Sequence, residues 1–79
     1  MSRKFRSLAD RITTDPATLG GMPCIARTRL GVHCILGRLA GGETVEDLLK
    51  ERKYLEPDDI RAVFSFASKL VEEKFGEKK

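Results

Sequence analysis

A mainly α-helical fold is predicted for this 79-residue chain: a short N-terminal β-hairpin, then a three-helix, helix-turn-helix-like core. Three observations predict it. Two short β-leaning runs flank a connection rich in Gly and Pro. From Val32 onward the apolar residues recur at helical spacing. The breaks between the helical segments carry residues that stop and start helices.

Taken in order, residues 1–10 read as a basic arm holding Arg3, Lys4 and Arg6. Phe5 and Leu8 lie three apart, the spacing of a short docked helix. "RIT", Arg11 to Thr13, leans to β, and "TDP" marks a turn because Asp before Pro disfavours continued regular structure. "GGMP" (Gly20, Gly21, Met22 and Pro23) is a second turn that shapes the hairpin. "CIARTRL", Cys24 to Leu30, reads as the second extended run.

The helices follow. Val32, Ile35, Leu36 and Leu39 form one helical face, ended by Gly41-Gly42. Thr44 suits an N-cap with Asp47 three residues on, and Val45, Leu48 and Leu49 form the next face. Pro57 fits a first helical turn, with Asp58 and Asp59 complementing its dipole. That third helix should place Ile60, Val63, Phe64, Ala67 and Val71 on one face and stop at Gly76. Ala62, Phe66 and Leu70 form a second stripe. A core this small needs one face only, so this second stripe is expected either to be wrapped by the N-terminal arm or to make a homodimer contact through Phe66 and Leu70. Residues 11–76 make a single domain and 77–79 a charged tail.

Composition narrows the function. Residues 1–42 hold seven basic and two acidic residues, while 43–79 hold eight basic and ten acidic ones. The front half therefore suits an acidic or polyanionic partner. The N-terminus lacks the apolar run of a secretory signal, and no stretch is long and apolar enough to span a membrane. A cytoplasmic protein with reduced Cys24 and Cys34 is expected. Those cysteines and His33 lack zinc-ligand spacing and a fourth donor, so no metal or other cofactor is expected. His33 is the sole histidine, and no nucleophile is set beside a base, so no catalytic residue and no enzyme activity are expected.

The series "RITTDP", "LGGMPCI", "TRLGV", "LAGG", "TVEDLL" and "LEPDDIRAVFSFAS" resembles the domain-of-unknown-function 433 family over about residues 11–70. The resemblance implies a homeodomain-like trihelical fold. It further implies an antitoxin role beside a PIN-like nuclease toxin. Three positions depart from the family's usual residues: Arg27 and Gly31 stand for Gly and Pro, and Lys53 for Pro.

Two binding chemistries then compete. Toward DNA, the start of the third helix presents Glu56, Asp58 and Asp59 with only Arg61 against them, which disfavours its use as a recognition helix. Arg3, Lys4, Arg6 and Arg11, with Arg27 and Arg29, are the expected phosphate contacts. Toward a nuclease, an arginine on a rigid loop pairs with metal-binding carboxylates. Arg29 either serves there or locks the hairpin through Asp15 or Asp59, and the Thr28-Arg29 pair ties the hairpin down. Arg27 is the residue freest to contact a partner. The expected function is a toxin-binding antitoxin with operator DNA as a second target. The alternatives are a stand-alone DNA-binding regulator and an interaction module without a toxin.

Overall fold

The computed structural model describes residues 8–76. Within them a two-stranded antiparallel sheet precedes three helices. Strand β1 (Ile12–Thr13) pairs with β2 (Cys24–Ile25), Ile12 opposite Ile25 and Thr13 opposite Cys24. The helices are α1 (Val32–Ala40), α2 (Val45–Glu51) and α3 (Pro57–Phe75). Leu8–Arg11 forms a 3-10 turn packed along α3, so the described fold begins inside the segment expected to be an arm.

The strands are shorter than expected. The run from Cys24 leaves β geometry after Ile25 and enters a turn, returning at Gly31, which bridges back to Cys24. The connection before it is left-handed from Leu19 to Gly21, with φ of 52°, 63° and 90°. Asp15 Oδ1 accepts from the Ala17 N–H at 3.0 Å across Pro16, and the Pro23 carbonyl accepts from Val32 N–H at 2.9 Å.

Helix boundaries follow the capping residues. At the end of α1, Gly42 has φ 112°. Its N–H reaches the Leu39 carbonyl while Glu43 N–H reaches that of Arg38, both at 3.1 Å. This is a Schellman closure. At α2, Thr44 Oγ1 accepts from Asp47 N–H at 3.0 Å and Asp47 Oδ2 accepts from Thr44 N–H at 3.1 Å, a reciprocal capping box. Helix α3 starts at Pro57 and stops at left-handed Gly76.

The core joins Ile25, Val32, Ile35, Leu48, Leu55, Ile60 and Val63. Its face on α3 keeps Ile60 and Val63 of the stripe the periodicity gave and loses Phe64 and Val71. Ile60, Ala62 and Val63 are buried, whereas Phe64 and Val71 are 47% and 58% exposed. Phe66 packs against the core, and Leu8 and Ile12 line a groove with it. One of the two expected dimer contacts is thus covered within the chain, while Leu70 stays exposed. The N-terminal turn takes the Ala62–Phe66 flank, and α3 runs on past the core, every residue from Ser68 to Gly76 being exposed.

Candidate functional site

Arg11 changes the reading of the basic residues. It is 2% exposed and lies among three carboxylates at the start of α3. Its Nη1 is 2.8 Å from Glu56 Oε1 and 2.9 Å from Asp59 Oδ1, and its Nη2 is 3.9 Å from Asp58 Oδ2. Burial lowers the pKa of this guanidinium, but the bonds to Glu56 and Asp59 and their charges outweigh that, and the net shift is upward. Asp59 is buried as well, and its other oxygen accepts from Glu56 N–H at 2.9 Å, the cap of α3. Arg11 is therefore not a phosphate contact. It also takes the place foreseen for Arg29, whose expected lock to Asp15 or Asp59 does not form among the described contacts. The acidic start of α3 is not bare either: Arg11 spans it, and Arg61 reaches Asp58 at 3.1 Å.

The cluster anchors the hairpin. The Arg11 carbonyl accepts from Ala26 N–H at 2.7 Å, fixing where the next turn stands. In that turn, Ile25 to Thr28, the Thr28 N–H bonds the Ile25 carbonyl at 3.0 Å. Thr28 Oγ1 donates to the same carbonyl at 2.8 Å and accepts from Leu30 N–H at 2.9 Å. Arg27 holds the third position with φ 69°. This is the type II turn position that favours glycine, because a Cβ crowds the backbone at positive φ. The strain is accepted, and it holds Arg27 exposed at the tip. Arg29 is exposed beside it.

Facing this tip is the link between α2 and α3. Leu55 N–H bonds the Arg52 carbonyl at 3.0 Å, and buried Leu55 pins the turn. Lys53 and Tyr54 project from it, Tyr54 57% exposed. Between the two turns lies a cleft of about 400 Å³ lined by Ile25, Ala26, Arg27, Thr28, Lys53 and Tyr54, with Glu56 and Asp59 also in its wall. A neighbouring depression is lined by Arg27, Thr28, Arg29 and Tyr54. Three cations and a tyrosine thus share one surface, while the carboxylates behind them are held by Arg11. Sequence reasoning found Arg27 and Arg29 and missed Lys53 and Tyr54 as their neighbours. The available signal was a lysine next to the single tyrosine of the chain in a helix linker.

The other residues singled out are placed as follows. Arg3, Lys4, Arg6 and Phe5 lie outside the described residues. Cys24 is buried, its Sγ 3.8 Å from the Thr28 carbonyl. Cys34 is exposed, its Sγ 3.8 Å from His33 Nε2. Among the described residues no group of three or more His, Cys, Asp or Glu could hold a metal ion. Among them, too, no helix is long and apolar enough to cross a membrane.

Comparison with known proteins adds one finding. A family model described as "Protein of unknown function (DUF433)" matches residues 12–67. No curated protein and no solved structure matches the chain.

Proposed function

The chain belongs to the DUF433 family of proteins of unknown function, and we propose that it is an antitoxin-type partner of a PIN-like nuclease toxin. The observation that carries the proposal is that Arg27 and Tyr54 line both a cleft shared with Lys53 and an adjoining depression shared with Arg29. A nuclease centre that gathers carboxylates around a metal is the complement of this surface. The backbone of Arg27 stands on a turn closed by hydrogen bonds, so only its side chain has to be ordered when the guanidinium forms a forked pair with a carboxylate. Tyr54 adds a flat contact of the kind that anchors interfaces. The role is binding, not catalysis.

Operator DNA is the second reading, supported by the same three cations and by Arg3, Lys4 and Arg6 in the sequence. A regulator without a toxin, and an interaction module without either partner, are the remaining readings.

The test is co-expression with a PIN-like nuclease from a neighbouring reading frame, read as rescue of growth. The triple variant Arg27→Ala, Arg29→Ala, Lys53→Ala should lose rescue and bind the nuclease at least about tenfold more weakly. Its melting temperature should not fall. A triple variant that rescues as well as the parent would defeat the proposal. A duplex titration of the full chain separates the DNA reading: affinity should fall steeply with salt, and Arg61→Ala should leave it unchanged.

A further inference from the structure

Charge alone does not describe the surface around the Arg27 turn, because an aromatic ring stands among its cations. Tyr54 is 57% exposed, although buried Leu55 beside it pins the turn that carries it. The ring borders two hollows. One is the cleft it shares with Lys53, the other the depression it shares with Arg29, and Arg27 and Thr28 line both. Among the described lining residues Tyr54 is the only large hydrophobic side chain left exposed. We infer that this surface binds single-stranded nucleic acid, with one base stacked on Tyr54 and the neighbouring phosphates held by Lys53, Arg27 and Arg29.

The make-up of the surface selects a single strand. Cations that track a backbone and an aromatic side chain that takes a base are the two parts of a strand-binding platform. A single strand offers flat faces alternating with charges. A duplex keeps its bases paired and stacked, so it leaves the ring without a partner. The cleft is about 400 Å³, near the lower end of small-ligand clefts, which suits one base and not the side of a duplex. Its acidic wall does not oppose a strand. Glu56 and Asp59 are engaged by Arg11 at 2.8 and 2.9 Å, so four cations stand against these two carboxylates. An amphipathic helix would need a row of exposed apolar side chains, and one ring does not make a row. The inference does not rest on the nuclease reading, and no nuclease enters its test.

The chain has one tyrosine and no tryptophan, so its tyrosine fluorescence reports Tyr54 alone. A short oligothymidylate titrated into the full chain should quench that emission. The quench should follow the same Kd as the anisotropy of the labelled strand. Tyr54→Ala should raise the strand Kd at least about fivefold, the lower end for one stacked base, and leave the Kd for a duplex of equal length unchanged. Tyr54→Trp keeps a stacking face and should bind like the parent. Replacing Arg29 and Lys53 together by alanine should reduce the slope of log Kd against log salt by about 1.4, two phosphates at about 0.7 each. All three positions are exposed, and the far-UV spectra should not change. Binding without quenching overturns the inference, as does a Tyr54→Ala variant that binds the strand like the parent or loses strand and duplex equally. Polyglutamate that quenches Tyr54 as fully as the strand assigns the surface to an acidic protein instead. No binding of the strand up to about 1 mM protein also overturns it.

Discussion

Two arginines that the sequence groups as contact residues have opposite settings because of the backbone on which each stands. Arg11 ends a 3-10 turn that runs along α3, so its side chain reaches the carboxylates that cap that helix. Removing it strands buried Asp59, and a buried charge stripped of its partner is costly. Arg11→Met should lower stability by about 3–5 kcal/mol, read by urea unfolding. A loss under about 1 kcal/mol would show that the cluster relaxes into solvent. Arg27 instead stands at positive φ. Arg27→Gly relieves a left-handed cost of about 1–2 kcal/mol and adds back part of it as backbone entropy, so a net gain of about 0.5–1 kcal/mol is expected. Arg27→Ala keeps the strain and should not gain. A thermal melt of the two variants separates backbone relief from loss of charge.

Capping decides where the helices begin, and the two caps on α2 and α3 differ in setting. Thr44 and Asp47 close an exposed box at α2. The backbone N–H of Thr44, and then its hydroxyl side, hold the Asp47 carboxyl below its ordinary value of 3.8. A carboxyl whose folded pKa is depressed stabilises fully above its unfolded value, and the contribution is lost as pH falls through the folded one. The cap of α2 should therefore weaken only in acid. Thr44→Ala should cost about 1 kcal/mol at neutral pH. The gap between parent and variant should narrow below about pH 4, as the carboxyl protonates in both. The turn into α3 offers a different handle. Lys53 is the second residue of the Arg52–Leu55 turn, a position that favours proline. Arg52 before it is extended, at φ −119° and ψ 93°, as a residue preceding proline must be. Lys53→Pro should raise stability by about 0.4–1 kcal/mol, and under the proposed function it should weaken the nuclease complex. Unchanged affinity would remove Lys53 from the contact surface.

At the scale of the molecule, one buried ion cluster joins the first turn of the described fold to its last helix. The family match begins at Ile12, one residue past Arg11. A fragment cut to begin at Ile12 loses the guanidinium that neutralises Glu56 and Asp59, together with Leu8 over Phe66. It should melt well below a fragment beginning at Leu8, with a loss of at least about 3 kcal/mol. Equal melting of the two fragments would show that the N-terminal turn is an accessory to the trihelical core. The charge imbalance between the halves of the chain is read differently once Arg11 is inside. One outward-facing group of basic residues, among the described ones, is the turn at Arg27 and Arg29 with Lys53 opposite.

The order of elements, the helix stops at Gly42 and Gly76, the Thr44–Asp47 box and the start of α3 at Pro57 were legible in the sequence. Each depends on groups within a few residues of one another, so local propensity determines them. Arg27 was legible as the position to watch, and its left-handed backbone explains why. Three matters were decided by the tertiary structure alone. The partner of Asp59 is Arg11 and not Arg29, because the 3-10 turn, invisible to periodicity, delivers Arg11 to the cap of α3 across 48 residues. The buried face of α3 takes Ile60 and Val63 from one predicted stripe and Ala62 from the other, and leaves Phe64 and Val71 out, because apolar spacing gives two candidate faces and only the packed neighbours choose among their members. Lys53 and Tyr54 join Arg27 at one cleft because two turns far apart in the chain close over the same core. Local sequence carries no record of which distant turns will meet. That is fixed by the single packing that buries Ile25, Leu55 and Ile60 together.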